Sequence, residues 1–194
     1  MEREILFTGI GGQGIQLAAR TLAEAAITDG RRVQLFASYG GMMRGGNSDA
    51  MLVVADTDIT APPLVGGAWA AVVMHHEHAD AVWSSLRPGG VALVNGSVVD
   101  PGCRPEPERD IAVVDVAALD LASELGAPVA ASLVLVGALV AATGLVSPDA
   151  LVDTPARVLP SYRAEAAEVN RRALEVGLAS GVLSHPAWTD AVVR

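Results

Sequence analysis

The apolar positions of this chain change period repeatedly, and each change marks an element. A short apolar run, Glu4–Thr8, ends in glycines; Gly14–Thr28 then repeats apolar residues at helical spacing through Leu17, Ala18, Leu22, Ala25 and Ala26, which predicts strand, turn and helix. Asp29-Gly30 stops that helix, and Arg32–Ala37 reads as a second strand, so the opening is a βαβ unit with an expected right-handed crossover. Ser48–Val54 alternates weakly as a third strand. Ala70–Met74 is a buried strand, Glu77–Leu86 a helix, Arg87-Pro88-Gly89-Gly90 a turn and Val91–Asn95 a strand. After an exposed loop over Asp100–Glu108, Ile111–Val116 is a strand and Ala117–Leu125 and Ser132–Thr143 are helices. Ser147-Pro148-Asp149 supplies an N-cap with proline at the first helical position. A last helix begins near Ser161 and places Tyr162, Ala166, Val169, Ala173 and Val176 on one face, to pack on the sheet or on a neighbouring subunit. This alternation predicts one α/β domain over residues 1–194: a Rossmann-like, doubly wound, mostly parallel sheet with helices on both faces.

One stretch tests that reading. Ala127–Val146 runs twenty residues without a charge, about the length that spans a bilayer. Pro128 opens it, Gly137 and Gly144 interrupt it and alanine supplies much of it, so a buried helix is the favoured expectation over membrane insertion. The N-terminal MEREILFTGIGG lacks the zones of a signal peptide, so the expected location is the cytoplasm.

Composition then removes functions. The chain is 51% apolar, 18% charged and 4% aromatic, which excludes disorder. All 13 basic residues are arginine, so a Walker A lysine, a Schiff-base lysine and a lysine general base are absent. Cys103 is the only cysteine, so the chain cannot hold an iron–sulfur cluster, a zinc ribbon or an internal disulfide by itself. A net charge of -9 with seven aromatics argues against a nucleic-acid partner.

Nine of the 20 glycines fall between Gly9 and Gly46, where the first strands end and where a doubly wound sheet binds ligands. The first cluster, Gly9-Ile10-Gly11-Gly12-Gln13-Gly14, has G-x-G-x-x-G spacing between a strand and a helix. Its bare backbone and the helix N-terminus suit a phosphate. A dinucleotide site also needs a carboxylate near the end of the second strand, and that strand ends Phe36-Ala37-Ser38-Tyr39. Another anionic ligand, or a purely structural turn, remains open. The second cluster, Ser38-Tyr39-Gly40-Gly41-Met42-Met43-Arg44-Gly45-Gly46-Asn47-Ser48, sets one arginine, a bidentate donor for carboxylate or phosphate, among paired glycines. Its two methionines favour contact with another subunit over a free surface loop.

Together, GIGGQGIQLAARTLAEAA and SYGGMMRGGNSDAMLVV resemble the gamma subunit of the 2-oxoacid:acceptor (ferredoxin) oxidoreductases, and the VAASLVLVGAL and AEVNRRALEVG helices fall where that family has its own. The resemblance implies a subunit that packs on alpha and beta subunits holding thiamine diphosphate and Mg, beside a ferredoxin-like chain carrying iron–sulfur clusters. It further implies oxidative decarboxylation of a 2-oxoacid with coenzyme A to acyl-CoA and CO2, by a hetero-oligomer whose isolated gamma chain is inactive and has no catalytic residue or metal of its own. By the same analogy Gly9, Gly11, Gly12, Gln13 and Gly14 cradle a coenzyme A phosphate or face the partners, and Ser38, Tyr39, Arg44, Gly45, Gly46 and Asn47 line the same cleft. The HGMSQRGG-type loop of indolepyruvate oxidoreductases is missing, which favours a short or dicarboxylic 2-oxoacid over an arylpyruvate. Many relatives open the uncharged helix with asparagine where this chain has Ala131-Ser132. The alternative is a free-standing nucleotide-binding regulatory module of Rossmann type.

Other clusters carry less. His75-His76-Glu77-His78 is not H-E-x-x-H, because Asp80 takes the second histidine position, so interface or structural histidines are favoured over a metal site. Cys103 reads as an exposed bystander; Asp115, Asp120 and Glu124 resemble a carboxylate pair for acid/base work, with helix-start charge the simpler account, while Trp69, Trp83 and Trp188 are too dispersed to define one site.

Overall fold

The computed structural model describes residues 1–39, 46–59, 67–104, 109–159, 162, 164–182 and 184–189. Its strands are β1 (Glu2–Ile10), β2 (Arg32–Tyr39), β3 (Asn47–Ala55), β4 (Ala68–Val73), β5 (Leu86–Asn95) and β6 (Ala112–Val116). Its α-helices are α1 (Ile15–Thr28), α2 (Ala79–Ser85), α3 (Ala118–Glu124), α4 (Ala131–Thr143), α5 (Pro148–Asp153), α6 (Pro155–Val158) and α7 (Ala164–Ser180).

The sheet order is β2-β3-β1-β4-β5-β6. β1, β4, β5 and β6 pair in parallel, whereas β3 runs antiparallel to both β1 and β2. The opening unit therefore differs from the expected one. β1 and β2 point the same way, but β3 lies between them and makes every ladder bond that a neighbouring β2 would have made. A weakly alternating segment can be a central strand here because its neighbours supply the apolar rows: Ile5↔Leu52↔Leu35 on one face and Leu6↔Met51↔Phe36 on the other. The Arg87–Gly90 turn is also placed differently, as an irregularity inside β5. Leu86 pairs with Ala68, and pairing resumes at Val91 with Ala70, with Gly89 at φ +74° carrying the excursion.

The two faces are covered unequally. One face packs on α1, α3 and α4, with α7 as an outer layer against α4. Twelve of the thirteen residues of α4 are buried, so an uncharged helix finds apolar partners all round within the fold. Among the described residues no helix is long and apolar enough to cross a membrane. α7 presents Ala173, Leu174 and Gly177 to α4; of the row expected from Tyr162 to Val176, Ala173 is buried, Val169 and Val176 are partly buried, and Ala166 and Tyr162 are exposed. Its register follows the closest backbone approach, at Gly137 and Gly177. Ser147 caps α5 by accepting the Ala150 N–H, with Pro148 in the first turn, as its sequence predicts.

Among the described helices only the seven-residue α2 packs on the opposite face, reaching β4 and β1, with Val99 and Ile111 beside it. Among the described elements none packs over the β2–β3 half of this face.

Candidate functional site at the carboxyl edge

The chain leaves β1 through α1 on one face and leaves β4 through α2 on the other, and β1 and β4 are neighbours. Two connections departing in opposite directions open a crevice at the carboxyl ends of those strands, the place where doubly wound sheets take ligands. The Gly9–Gly14 loop forms one side of it and His75–His78 the other, joined where the Met74 N–H donates to the Thr8 carbonyl at 2.9 Å.

The glycine loop is held by its own backbone and by one side chain. Gln13 turns inward, its Oε1 accepting the Ile10 N–H at 2.9 Å, and that amide oxygen is spent on the loop instead of a ligand. Gly11 N–H donates to the Gly46 carbonyl at 2.8 Å, which ties the first glycine cluster to the end of the second. Gly14 has φ +73° and abuts α4: a Cβ there would lie 2.9 Å from Ser132 Oγ. Ser132, at the start of α4, thus touches the loop. No side chain caps α1, so its first-turn amides stay available for an anion. Gly12 has open space around it and is exposed.

Asp49 organises the adjoining wall. One carboxylate oxygen accepts from Thr8 Oγ1 at 2.8 Å and the other from Asn47 Nδ2 at 2.5 Å, while Gln16 Nε2 donates to the Asp49 carbonyl at 2.7 Å. This knot joins β1, β3 and α1. Asn47 Oδ1 is buried and has no hydrogen-bond partner. From here a cleft of about 700 Å³ extends over the sheet face beside α2, with Leu6, Phe36 and Met51 as floor, Asn47 and Asp49 at one end and His76, Glu77, His78 and Asp80 along the α2 side.

The histidine tract joins this cleft. The rings of His75 and His76 stack with centroids 4.4 Å apart. His75 Nδ1 accepts the Glu77 N–H at 3.1 Å, so that nitrogen carries no proton, and His76 Nδ1 lies 3.3 Å from the Val98 carbonyl, which makes it the donor there. Both rings thus spend one nitrogen on the backbone. Among the described residues no group of three or more His, Cys, Asp or Glu is placed to hold a metal ion. Burial holds the His75 pKa below the ordinary histidine value; the neighbouring His76 adds to this and Glu77 opposes it. A depressed histidine pKa adds stability that is complete above the unfolded value, about 6.5, and is lost as pH falls through the folded one. Acidification from pH 7.5 to 5 is therefore expected to weaken the His75–His78 turn, and His75→Gln should remove that part of the pH dependence. NMR titration of the imidazole resonances with amide exchange at Glu77 checks both; a His75 that titrates at or above the ordinary value refutes it.

Of the residues expected from sequence, Gly9, Gly11, Gly12, Gln13, Gly14, Gly46 and Asn47 lie together at this edge. Ser38 and Tyr39 end β2 on the far side of β3. Arg44 and Gly45, with the two methionines, fall outside the described residues. The intervening β3 also removes the geometry of a dinucleotide site, in which the second strand lies beside the first. Sequence reading missed Thr8, Asp49 and the proximity of the histidines. Asp49 was within reach, since Asn47, Asp49 and Met51 share one face of a strand at period two. Elsewhere Cys103 is partly buried, with its carbonyl accepting the Trp83 indole N–H at 2.7 Å, and Asp115 is paired to Arg104 at 2.6 Å.

Residues 4–180 match the family described as Pyruvate ferredoxin/flavodoxin oxidoreductase. The chain belongs to this family. It is 32% identical over 153 residues to the 2-oxoglutarate synthase subunit KorC of Methanocaldococcus jannaschii, covering 78% of this chain and 80% of that one. It is 34% identical over 176 residues to the pyruvate synthase subunit PorC of Methanothermobacter thermautotrophicus, covering 89% and 94%. Among solved structures, the keto/oxoacid ferredoxin oxidoreductase gamma subunit of Geobacter sulfurreducens superposes with a TM-score of 0.76 at 31% identity, over 92% of this chain and 97% of that one. As a member of this oxidoreductase family the chain keeps the α/β fold of its relatives, and it matches these three over 80% to 97% of their length.

Proposed function

We propose that this chain is the gamma-type subunit of a thiamine-diphosphate-dependent 2-oxoacid:ferredoxin oxidoreductase. Thiamine diphosphate and Mg reside in alpha and beta partners, and the iron–sulfur clusters in a ferredoxin-like partner. The observation that carries this reading is similarity over 80% to 97% of the length of relatives named as subunits of 2-oxoacid oxidoreductases. The chemistry agrees: a lysine-free chain with one cysteine needs neighbours to supply redox and carbanion chemistry. When bound in the partners, the thiamine cofactor supplies the electron sink for decarboxylation.

The chain's own part is to enclose and to bind. The uncapped N-terminus of α1 and the open backbone at Gly12 offer amide donors to a phosphate of coenzyme A, and Gln13 keeps that loop in shape from inside. The three carboxylates of the neighbouring cleft repel the same phosphates, so the anion belongs at the glycine loop and not over the sheet face. Relatives named for 2-oxoglutarate and for pyruvate favour a short or dicarboxylic 2-oxoacid.

Purifying the tagged chain from its own host tests this. The expected result is stoichiometric co-purification of thiamine-binding subunits and an iron–sulfur protein, with viologen reduction that needs both a 2-oxoacid and coenzyme A; the separated chain should give none. A monomeric chain without partners would favour the free-standing nucleotide-binding module. A structure of the complex with coenzyme A far from Gly9–Gly14 would refute the loop assignment.

A further inference from the structure

The part of the α2 face that no described element covers has a chemistry of its own. Leu6, Met51 and Phe36 form one row across β1, β3 and β2, and Phe36 is 45% exposed. Single exposed apolar side chains are ordinary, but a row flooring a cleft of about 700 Å³ marks a binding surface. The polar rim selects the occupant. Asp49, Glu77 and Asp80 line it, no arginine does among the described residues, and the Asn47 Oδ1 is a buried acceptor without a donor. His76 and His78 also line it, two imidazoles against three carboxylates. Acceptors in excess call for a group that only donates, a guanidinium or an ammonium. A second copy of this chain is a poor source, since each copy carries a net charge of -9.

The geometry points to this cleft as the seat of a partner-subunit segment that places an arginine or lysine, flanked by apolar side chains, against Asp49, Glu77 and Asp80. The assignment rests on the multi-subunit reading above and gives it a face and a chemistry. The apolar flank covers Phe36 and Met51, while the cation lies between the α2 carboxylates and the Asn47 acceptor.

The test uses the complex purified from its host through a tag on this chain. Glu77 and Asp80 are exposed, so Glu77→Arg with Asp80→Arg leaves the core intact. This pair is expected to lower the co-purifying thiamine-binding subunits by roughly ten-fold or more. Glu124→Arg with Glu165→Arg, exposed sites on α3 and α7, changes the net charge equally and should retain the partners. Equal loss in both variants would make the effect one of net charge and overturn the assignment; full retention in the α2 variant would overturn it too. A photo-reactive phenylalanine analogue at the exposed, cleft-lining Ala81 then identifies the occupant. After chymotrypsin digestion, the adduct should be a partner-subunit peptide with a basic residue beside apolar ones. An adduct with another copy of this chain, or with a peptide lacking a basic residue, refutes the proposal. If the unaltered chain brings down no partner, it is the multi-subunit reading that fails, a result distinct from a normal complex that ignores the α2 variant.

Discussion

Gly177→Ala is expected to destabilise the chain by about 3 kcal/mol or more, lowering its melting temperature by roughly 10 °C, even though alanine is the better helix former. The sign is decided by the crossing of α4 and α7. A Cβ at Gly177 would fall within the contact radius of the Val134 carbonyl oxygen and 2.9 Å from the Gly137 Cα. The atoms in the way are backbone, so no rotamer change relieves them, and the two helices must separate. The gain in helix propensity is at most about 1 kcal/mol, and the loss of close packing along a fully buried α4 exceeds it. Gly137→Ala meets the Leu174 carbonyl and the Leu178 N–H in the same way and should behave alike. Glu165→Ala, exposed in the first turn of α7, should stay within about 0.5 kcal/mol of the parent. Urea unfolding followed by circular dichroism separates these cases, and a Gly177→Ala variant as stable as the parent would refute the tight crossing.

Those two glycines also show what sequence could and could not reveal. Period and punctuation placed every strand but the start of β5, and most helices, within a few residues, because apolar runs and caps such as Ser147-Pro148 are local signals. Strand order is not local. Nothing in Arg32–Ala37 or Ser48–Val54 states that the later strand inserts beside β1, since both carry the residues of a half-buried strand and only the packed sheet decides. The row assigned to α7 holds only toward its C-terminal end for a related reason: Ala166 has the right period yet is exposed, Ala173 is buried, and the helix is seated by Gly177, whose value lies in the side chain it lacks. At the site, the glycine loop was legible because its fingerprint has a fixed spacing. The cleft was not, because Asp49 and Glu77 come from strands and loops that meet only after β3 and β4 have taken places on either side of β1.

Trp188→Ala is expected to cost about 3 kcal/mol while leaving partner assembly unchanged, because its segment closes the edge of the sheet opposite the cleft. Residues 184–189 lie beyond the family match, which ends at residue 180, and are bound across the end of α4. The N–H groups of Ser184 and His185 donate to the Ala142 carbonyl at 2.9 and 3.0 Å, and that of Ala187 to Thr143 at 2.7 Å, so carbonyls that the end of a helix leaves unpaired find donors. Trp188 anchors the segment: its indole N–H donates to the Leu145 carbonyl at 2.9 Å, and the Arg31 guanidinium lies 3.8 Å from its ring centroid. Arg3 Nε donates to the Ala187 carbonyl at 2.5 Å, which joins the segment to the start of β1. Removing the ring frees Arg31, opens the space beneath it and leaves the backbone bonds without their anchor. Trp188→Phe keeps an aromatic face for Arg31 and loses only the indole donor, so it should cost about 1 kcal/mol. Thermal unfolding of both variants with co-purification of the partners distinguishes a clasp from a contact surface: a Trp188→Ala chain that melts normally but loses its partners would place the segment in an interface instead.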